Sequence, residues 1–474
     1  MRRAKIICTL GPASSSDERI AFLISEGMDV ARLNFSHGTH AEHEKLIRRV
    51  RKLSAAAGRP IGILQDLEGP RIRLGSVKGG RVRLKPAHRF TLSTRDIQGD
   101  ESGVSMSYPK LPGLVHPGDP ILLNDGSVEL QVQEVASDDV VCRVVTGGEI
   151  SSHKGVNLPT RSIDLPAFTE KDRRDLEFGI KAGVDFVGLS FVKSAADIRN
   201  VKGVLSELGV NIPVVSKIER HEALDNLDEI LSESDGIMVA RGDLGIEIAL
   251  EKVPLAQKEI IRKANRYGKP VITATQMLRS MVQSPHPTRA EVNDVANAVI
   301  DGTAAVMLSE ETAVGQFPVE AVRIMSRVIS TTEIDFPEPI IRGDQRADER
   351  FGETSLADAA CLSATAACRA IRARGIVVFT QSGNTARLIS KYRPPAPIIA
   401  FTPSESIQRR MALLWGVVPM PLDLFEEADQ MIVEMEKILR EKKWAGSGDR
   451  FVILFGFPIR GKGSTNMMKL HTVE

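Results

Sequence analysis

The feature that most constrains the fold of this chain is an alternation of short apolar runs with longer amphipathic segments. Eight such runs occur, three before residue 70 and five after residue 166: IICTL, VARLNF, GILQD, FVGLS, VVSKI, GIMVA, VITAT and AVMLS. Apolar runs of this length predict buried strands, and the amphipathic segments between them predict helices. Eight strands separated by helices favour a closed (β/α)8 barrel of the TIM type.

Two stretches of the chain do not follow this alternation. Between residues 70 and 166, short alternating strands are broken by many Gly, Pro and Asp turns, which predicts a separate small β domain. Near the end of the chain, the runs GIVVFT, PIIAFT and FVILFG lie between helical segments and predict a smaller α/β domain. We therefore expect a barrel of residues 1–69 and 167–340, an insert of residues 70–166 and a C-terminal domain of residues 350–474.

Composition excludes several classes of protein. Of 474 residues, 42% are hydrophobic and 26% charged, as in soluble globular proteins. The formal net charge of +1 provides no general attraction to nucleic acid or to an anionic membrane, so any anion site must be local. The four cysteines show no CxxC spacing, and no apolar stretch is long enough for a membrane span. These observations favour a cytoplasmic protein with reduced thiols and no nucleic-acid or membrane partner.

Polar residues follow the predicted strands, where a TIM barrel builds its functional site. They are Arg32, Asn34, Ser36, Asp66, Arg73, Lys217, Glu219, Arg241, Asp243, Thr275, Gln276, Ser309 and Glu311. Glu219 and Asp243 would meet on adjacent strands and suit a hard cation such as Mg²⁺, although both could be solvated loop acids. Lys217 fits a group that neutralises charge on a transferring phosphoryl, or a structural ion-pair partner.

Arg32, Arg73 and Gly242 each allow a functional and a structural interpretation. Arg32 and Arg73 fit phosphate grips, because a guanidinium binds two oxygen atoms at once, but single arginines are more often surface residues. Gly242 would let the backbone approach an anion, although isolated glycines usually mark turns.

Several long motifs resemble the pyruvate kinase family. They are ARLNFSHG at 31–38, KGVNLP at 154–159, SKIE at 216–219, IMVARGDLGIEI at 237–248, ATQML at 274–278, PTRAEVNDVANAV at 287–299 and YRPPAPIIAFT at 392–402. The resemblance implies a barrel, an inserted small β-barrel that acts as a lid, and a C-terminal regulatory α/β domain. It implies phosphoryl transfer from phosphoenolpyruvate to ADP, giving pyruvate and ATP in glycolysis, and a homotetramer.

The resemblance also implies roles for individual residues. Glu219 and Asp243 would hold Mg²⁺, for which Mn²⁺ is a possible substitute, and Lys217 would stabilise the transferring phosphoryl and the enolate. Gly242, Asp243 and Thr275 would contact the substrate, with Thr275 and Ser309 as candidates for a proton relay. The Ser309 hydroxyl has an equally good reading as the partner of a buried carbonyl. The nucleotide and phosphate contacts would be Arg32, Asn34, His37, Arg73 and Lys154.

Three motifs depart from the family pattern. Where the family commonly reads D-T-K-G-P-E-I-R, this chain has D-L-E-G-P-R-I-R at 66–73, and it has S-E-E-T at 309–312 for S-G-E-T and S-F-V-K at 190–193 for S-F-I-R. Asn34, Ser36, Asp66 and the Leu67 carbonyl match the family's potassium cage. Because Arg71 replaces the glutamate of potassium-requiring members, we expect a guanidinium beside Asp66 to make K⁺ unnecessary, unless Glu68 pairs with Arg71.

A second candidate site lies in the C-terminal domain. Thr380, Ser382, Gly383, Asn384 and Thr385 stand between a predicted strand and a helix, where hydroxyls and free N–H groups bind anions. A plain helix cap is the alternative. The family binds phosphorylated activators at this loop, so we expect such an effector here, covered by the segment 460–463.

Two other functions remain open at this stage. A pyruvate- or enolate-handling lyase could use the same barrel and metal, although the insert and C-terminal domain argue against it. A catalytically silent sensor could retain the ligand sites, with Glu68 and Glu310 as the only hints.

Overall fold

The structure is a computed structural model. It describes residues 1–124, 126–159, 165–336, 355–423, 425, 427–458 and 465–474. In these residues the strands are β1 (Lys5–Thr9), β2 (Val30–Asn34), β3 (Gly62–Asp66), β4 (Arg81–Leu84), β5 (Arg89–Ser93), β6 (Gly103–Ser105), β7 (Pro120–Leu123), β8 (Val128–Val135), β9 (Asp139–Thr146), β10 (Gly148–Ser151), β11 (Val156–Asn157), β12 (Phe186–Leu189), β13 (Val214–Ile218), β14 (Gly236–Ala240), β15 (Val271–Ala274), β16 (Ala305–Leu308), β17 (Gly375–Phe379), β18 (Ile398–Thr402), β19 (Val417–Pro421), β20 (Arg450–Phe455) and β21 (Met467–Thr472).

The helices alternate with these strands in the first and last parts of the chain. They are α1 (Asp17–Glu26), α2 (His40–Ala56), α3 (Leu111–Leu114), α4 (Glu170–Ala182), α5 (Ala195–Glu207), α6 (His221–Asp225), α7 (Leu227–Glu233), α8 (Arg241–Glu247), α9 (Val253–Arg266), α10 (Arg289–Asp301), α11 (Glu310–Ala313), α12 (Pro318–Asp335), α13 (Leu356–Ala370), α14 (Asn384–Lys391), α15 (Glu405–Met411) and α16 (Ala428–Glu441). Short 3-10 turns cover Pro12–Ser14, Lys78–Gly80, Leu250–Lys252 and Arg279–Val282.

Eight parallel strands form a closed barrel in the order β1-β16-β15-β14-β13-β12-β3-β2. These are the eight predicted strands, which confirms the TIM-barrel prediction. Their inward side chains, such as Ile7, Leu64 and Met238, pack into an interior cluster that also includes Leu413 from the C-terminal domain. The C-terminal domain therefore closes the end of the barrel where the strands begin, and leaves the opposite end for the functional site.

Helix limits are fixed by local hydrogen bonds. Ser16 accepts a hydrogen bond from the backbone N–H of Arg19 and begins α1, and Gly27 ends that helix with a positive φ. The C-cap of α2 is Ala57, and Gly58 follows it. Ser16 and Gly27 therefore set the limits of α1, whereas α2 ends at a right-handed alanine.

The insert between β3 and β12 has a hydrophobic core of its own. Its strands form a six-stranded sheet in the order β11-β7-β8-β9-β5-β6 and a two-stranded ribbon of β10 and β4. Its two connections to the barrel run side by side, because Arg73 and Gly155 form an isolated antiparallel bridge. The insert thus extends from a narrow hinge at the functional end of the barrel.

The C-terminal domain is a five-stranded sheet in the order β19-β18-β17-β20-β21, with hydrophobic clusters built around its inner strands. The edge strands β19 and β21 were not predicted from the sequence. The limits proposed for the three domains stay predictions at residue level, and residues 340–350 lie outside the described part of the chain.

All four cysteines are buried free thiols, as expected from their spacing. No helix in the described residues is long and apolar enough to cross a membrane.

Candidate active site

Four charged side chains meet at the carboxyl ends of β2, β3 and β13. Asp66 accepts a hydrogen bond from Nε of Arg32 at 2.7 Å, and its other oxygen atom lies 3.2 Å from Nζ of Lys217. The Lys217 ammonium also lies 2.8 Å from Oε1 of Glu219 and donates to Oγ of Ser190 at 2.8 Å. Lys217 is thus held between two buried carboxylates.

Burial and charge act in opposite directions on the pKa values of this cluster. Burial alone would raise the pKa of Asp66, but the charges of Lys217 and Arg32 outweigh it and hold that pKa below its usual value. Burial alone would lower the pKa of Lys217, but Asp66 and Glu219 raise it instead. Burial raises the pKa of Glu219, with Asp243 adding to the effect and Lys217 opposing it. Lys217 is therefore an ammonium ion at neutral pH, and added positive charge near Glu219 would favour its carboxylate.

Gly242 and Asp243 lie in the first turn of α8, which follows β14 directly. The backbone N–H of Gly242 donates to Oγ1 of Thr275 at 2.8 Å, and that hydroxyl donates to the carbonyl of Ala274 at 2.6 Å. Thr275 and its neighbour Gln276 both have positive φ, at 69° and 58°. Such strain in non-glycine residues is typical of functional sites.

Arg241 has a structural role in this loop. Its guanidinium donates to Oδ1 of Asp294 at 2.7 Å and to the carbonyl of Thr275 at 2.6 Å. Arg241 therefore ties the loop after β14 to the loop after β15 and orients the Thr275 segment.

A cleft that is partly open to solvent lies between the barrel and the hinge of the insert. Asp243 and Phe191 line it from the barrel, and Arg71 and Asn157 line it from the insert side. Gly69 begins the hinge with φ of 70°, and a Cβ there would meet Phe191 at 2.9 Å and Ser190 at 3.0 Å. Only glycine allows this close approach, which sets the chain's path into the cleft.

Two further cations, not predicted as site residues from the sequence, line the same cleft. They are Lys193 and Arg220, which follow β12 and β13. Arg220 contacts Glu222 at 3.0 Å and Glu247 at 3.7 Å and is buried. Their position immediately after barrel strands is the signal that could have identified both.

The residues present fit a divalent cation at Glu219 and Asp243. One Glu219 oxygen accepts the backbone N–H of Phe191 at 2.8 Å, which fixes the carboxylate, and Asp243 lines the cleft. Carboxylate oxygens are suitable ligands for a hard cation. A second group, His221, Glu222 and Glu247, has its ligand atoms within 4.8 Å of one another, but Arg220 already contacts both of its carboxylates. A guanidinium at that position competes with a metal ion.

The expectation that Arg71 lies beside Asp66 is not met. Both oxygen atoms of Asp66 face Arg32 and Lys217, and Arg71 forms no hydrogen bond or ion pair within the described residues. The turn at Gly69 directs the chain toward the cleft, where Arg71 is exposed. Glu68 does not pair with Arg71 either, because it contacts Arg73 at 2.5 Å and Lys171 at 3.3 Å.

The other residues matched to the potassium cage have local partners. Oδ1 of Asn34 accepts the backbone N–H of Ser36 at 3.1 Å. The carbonyl of Leu67 accepts the hydroxyl of Ser190 at 2.7 Å. These two oxygens therefore take part in protein hydrogen bonds, and Asp66 already has two cationic neighbours.

The candidate nucleotide contacts lie near the hinge. Besides its contact with Glu68, Arg73 donates to the carbonyl of His153 at 3.1 Å, so it is already engaged. The Lys154 side chain is exposed. Burial lowers the pKa of His37, and the charges of Arg71 and Arg73 lower it further, which favours a neutral imidazole. The charges of Arg71 and Arg73 therefore both act on the His37 imidazole.

Ser309 lies between β16 and α11, and its backbone N–H has a defined partner. Its backbone N–H donates to Oε2 of Glu311 at 2.7 Å. Its buried hydroxyl has no hydrogen-bond partner in the part of the chain that is described. The reading in which this hydroxyl satisfies a carbonyl is therefore wrong here, and the hydroxyl is left available to a ligand or water.

The candidate effector loop begins α14. The N-cap residue is Gly383, with φ of 81° and no side chain to accept a hydrogen bond. The Ser382 hydroxyl accepts the backbone N–H of Asn384 at 3.4 Å, so the capping alternative stays open. Thr380 accepts the N–H of Gly383 at 2.9 Å, Ser382 is exposed, and the hydroxyls of Thr385 and Thr465 lie 2.5 Å apart. The segment 460–463 expected to cover the loop lies outside the described residues.

Fold and site together define a TIM-barrel enzyme with a buried lysine–carboxylate cluster at the functional end of the barrel, beneath an inserted β domain. Comparison with known proteins makes the assignment specific. The family description "Pyruvate kinase, barrel domain" matches residues 1–322, and "Pyruvate kinase, alpha/beta domain" matches residues 358–471. The chain belongs to the pyruvate kinase family.

Individual pyruvate kinases are similar to this chain over its whole length. A pyruvate kinase of Clostridium acetobutylicum is 44% identical over 477 residues and covers 100% of both chains. One of Sporosarcina psychrophila is 44% identical and covers 100% of this chain and 81% of its own. A crystal structure of a pyruvate kinase from Cryptosporidium parvum superposes with a TM-score of 0.91 at 40% identity, over 100% of this chain and 96% of that one. The protein is an enzyme of glycolysis with pyruvate kinase activity, and its family uses a divalent metal ion.

Proposed function

We propose that the chain transfers the phosphoryl group of phosphoenolpyruvate to ADP in the cleft between barrel and insert, with Lys217 as the central catalytic group. The observation that carries this proposal is the Lys217 ammonium, held 2.8 Å from Glu219 and 3.2 Å from Asp66 at the end of the barrel strands. A fixed positive charge in a buried site stabilises charge that develops during phosphoryl transfer.

Lys217 acts on the substrate in two stages. Its ammonium neutralises charge on the transferring phosphoryl and then on the enolate oxygen left behind. Asp66 and Glu219 keep it charged and oriented, so little reorganisation is needed during the reaction. Mg²⁺, or Mn²⁺ in its place, would be held by Glu219 and Asp243 and would supply further positive charge to the substrate's oxygens.

Binding and proton transfer use residues around the cleft. Gly242, Asp243 and Thr275 contact the phosphate or carboxylate of phosphoenolpyruvate once the Gly242 N–H and the Thr275 hydroxyl exchange their present hydrogen bonds for the substrate. Arg32 orients Asp66. Asn34, His37, Arg73 and Lys154 contact ADP when the insert closes and water is excluded. Thr275 and Ser309 are the candidates for protonating the enolate, through water. The unpartnered hydroxyl of Ser309 supports its inclusion.

The direct test is ATP formation from phosphoenolpyruvate and ADP, measured with and without Mg²⁺ or Mn²⁺. We expect metal-dependent ATP formation that is lost when EDTA is added. A condensed product from pyruvate and an aldehyde would instead support a lyase, and metal-independent ligand binding without ATP would support a silent sensor.

We also propose regulation by a phosphorylated effector at Thr380–Thr385, a homotetrameric assembly and a cytoplasmic location. The cap at Gly383 and the exposed Ser382 hydroxyl support the effector site. Four buried free thiols support the reducing location. Light scattering of the purified chain tests the tetramer.

A further inference from the structure

A second cavity lies where the C-terminal domain meets the barrel, at the end opposite the active site. Four cationic side chains line it, together with Trp415 and Asn265. They are Lys269 from the barrel and Arg387, Lys391 and Arg393 from α14 and the segment after it. None of these residues takes part in the proposed phosphoryl transfer.

Within the described residues, one of these four cations has a carboxylate partner. Lys391 lies 3.0 Å from Asp358. The other three donate to neutral oxygens: Lys269 to the carbonyl of Ser234 at 2.6 Å, Arg387 to that of Gly268 at 2.7 Å, and Arg393 to that of Thr303 at 3.2 Å. Among the described residues, no carboxylate lies within 4.0 Å of the charged nitrogen atoms of these three.

The acidic groups nearest to this cavity do not balance its charge. Asp235 raises the pKa values of Lys269 and Arg387 from a distance, but it is paired with Lys202 at 3.1 Å. Glu233 also raises the pKa of Lys269, but it is paired with Arg199 at 3.1 Å. Asp358 is paired with Lys391, and Glu333 acts on Arg393 without contacting it. The cavity therefore carries an excess of positive charge.

Arg393 is the most deeply buried of the four. Its residue surface is 4% exposed, and its guanidinium stacks over the Trp415 ring at 4.9 Å. Its Nε is buried and has no hydrogen-bond partner in the described part of the chain. Burial lowers the pKa of Arg393 to about 9, and burial likewise lowers the pKa values of Arg387 and Lys269. A buried guanidinium without a counter-ion is costly, and an anion would offset that cost.

We propose that this interdomain cavity binds a phosphate-type oxyanion between Lys269, Arg387 and Arg393. The cavity is partly open to solvent, so a small anion can reach the cations that line it. Guanidinium groups favour phosphate oxygens because they present several donors in one plane. The ligand is inorganic phosphate or the phosphoryl group of a small phosphomonoester.

The site is distinct from the proposed effector loop but connected to it. Arg387 donates to Oδ1 of Asn384 at 2.8 Å, and Asn384 belongs to that loop. The same guanidinium binds the barrel through Gly268. An anion here would therefore hold the barrel and the C-terminal domain together and compete for the donors of Arg387.

The test is calorimetric titration of the full chain with inorganic phosphate and, separately, with glycerol 3-phosphate. The variant Lys269→Gln/Arg387→Gln removes two cations, and Lys437→Gln/Arg48→Gln removes two exposed cations elsewhere as the matched control. We expect the first variant to weaken binding of at least one probe by at least about tenfold, and the control to bind like the unaltered chain. Tighter binding of the ester than of phosphate would identify a phosphomonoester as the ligand.

Location is tested by soaking crystals with selenate and mapping the anomalous selenium signal. A peak between Lys269, Arg387 and Arg393 is expected. Equal binding by both double variants, or selenate only in the active site and effector loop, would overturn the proposal. If the double variant fails to fold, the single variant Lys269→Gln, altered at a half-exposed residue, provides the same comparison.

Discussion

Oε1 of Glu68 lies 2.5 Å from Nη2 of Arg73, while its other carboxylate oxygen lies 3.3 Å from Nζ of Lys171. Glu68 is thus occupied by two cations, neither of which is Arg71. The charge of Arg71 is left facing the cleft that Asp243 also lines. Asp66 receives its positive charge from Arg32 and Lys217 instead.

This arrangement predicts that the enzyme turns over without potassium and that Arg71→Glu creates a potassium requirement. A carboxylate at this position would replace a positive charge in the cleft with a negative one, which a cation would then have to balance. Initial rates would be measured in tetramethylammonium buffer titrated with KCl at constant ionic strength, because salt itself screens charge. We expect no dependence for the unaltered chain and for the exposed control Arg48→Glu. An increase of about tenfold with K⁺ in the unaltered chain, absent with Na⁺ or choline, would contradict the prediction.

Lys217→Met is expected to remove nearly all turnover while phosphoenolpyruvate binding stays measurable. The ammonium is assigned to charge that appears in the transition state, so its loss should act on kcat. The substitution also leaves Asp66 and Glu219 without their shared cation, so thermal unfolding should be recorded beside kcat and substrate binding. Lys437→Met is the exposed control. Activity within about tenfold of the unaltered chain, roughly 1.4 kcal/mol, would remove Lys217 from this role.

Glu219→Gln and Asp243→Asn should each weaken metal binding, because each replaces a charged oxygen ligand with a neutral amide. Mn²⁺ titration followed by electron paramagnetic resonance measures this without relying on turnover. Glu251→Gln, at an exposed acid after α8, serves as the control. An unchanged titration in both site variants would show that the metal assignment is wrong.

Effector binding should be lost in Thr385→Glu and in Ser382→Asp, since a carboxylate in either position repels a phosphoryl group. Thr385 is buried against Thr465, whereas Ser382 is exposed, so the second variant separates repulsion from misfolding. Thr472→Glu, on the exposed strand β21, is the matched control. Calorimetry with a sugar phosphate and with a nucleoside monophosphate provides the readout, and unchanged binding in both loop variants would exclude this site.

Glu291→Ala should lower the free energy of unfolding by about 1–3 kcal/mol at neutral pH. The carboxylate accepts the N–H of Ser280 at 2.7 Å and that of Thr288 at 2.8 Å, joining the loop after β15 to the start of α10. Burial alone would raise the pKa of Glu291, but the hydrogen bond from the Ser280 hydroxyl, together with these backbone bonds, holds it below its usual 4.5.

The contribution of Glu291 to stability is therefore complete above about pH 4.5 and is lost as the pH falls through the lower folded-state pKa. Urea unfolding across this range should show the difference between Glu291→Ala and the unaltered chain shrinking in acid. Glu18→Ala, at an exposed acid in the first turn of α1, should have little effect at any pH.

The sequence could not predict the edge strands β19 and β21 of the C-terminal domain. Pro419 and Pro421 lie within β19 and argue against a strand, yet an edge strand tolerates proline because one side of its backbone is unpaired. Strand β21 is mostly exposed and pairs only with β20, so it lacks the apolar run of a buried strand. Both assignments depend on pairing with a neighbour that local sequence does not reveal.

By itself the sequence determined the eight barrel strands and the residues at their carboxyl ends, including Lys217, Glu219 and Asp243. This was possible because strand and helix periodicity is local, and a closed parallel barrel brings all its strand ends to one face. Only the tertiary structure decided that Glu68 pairs with Arg73, that Asp66 lies between Arg32 and Lys217, and that three cations converge on one interdomain cavity. Those relationships depend on distances between side chains far apart in sequence, which packing alone sets.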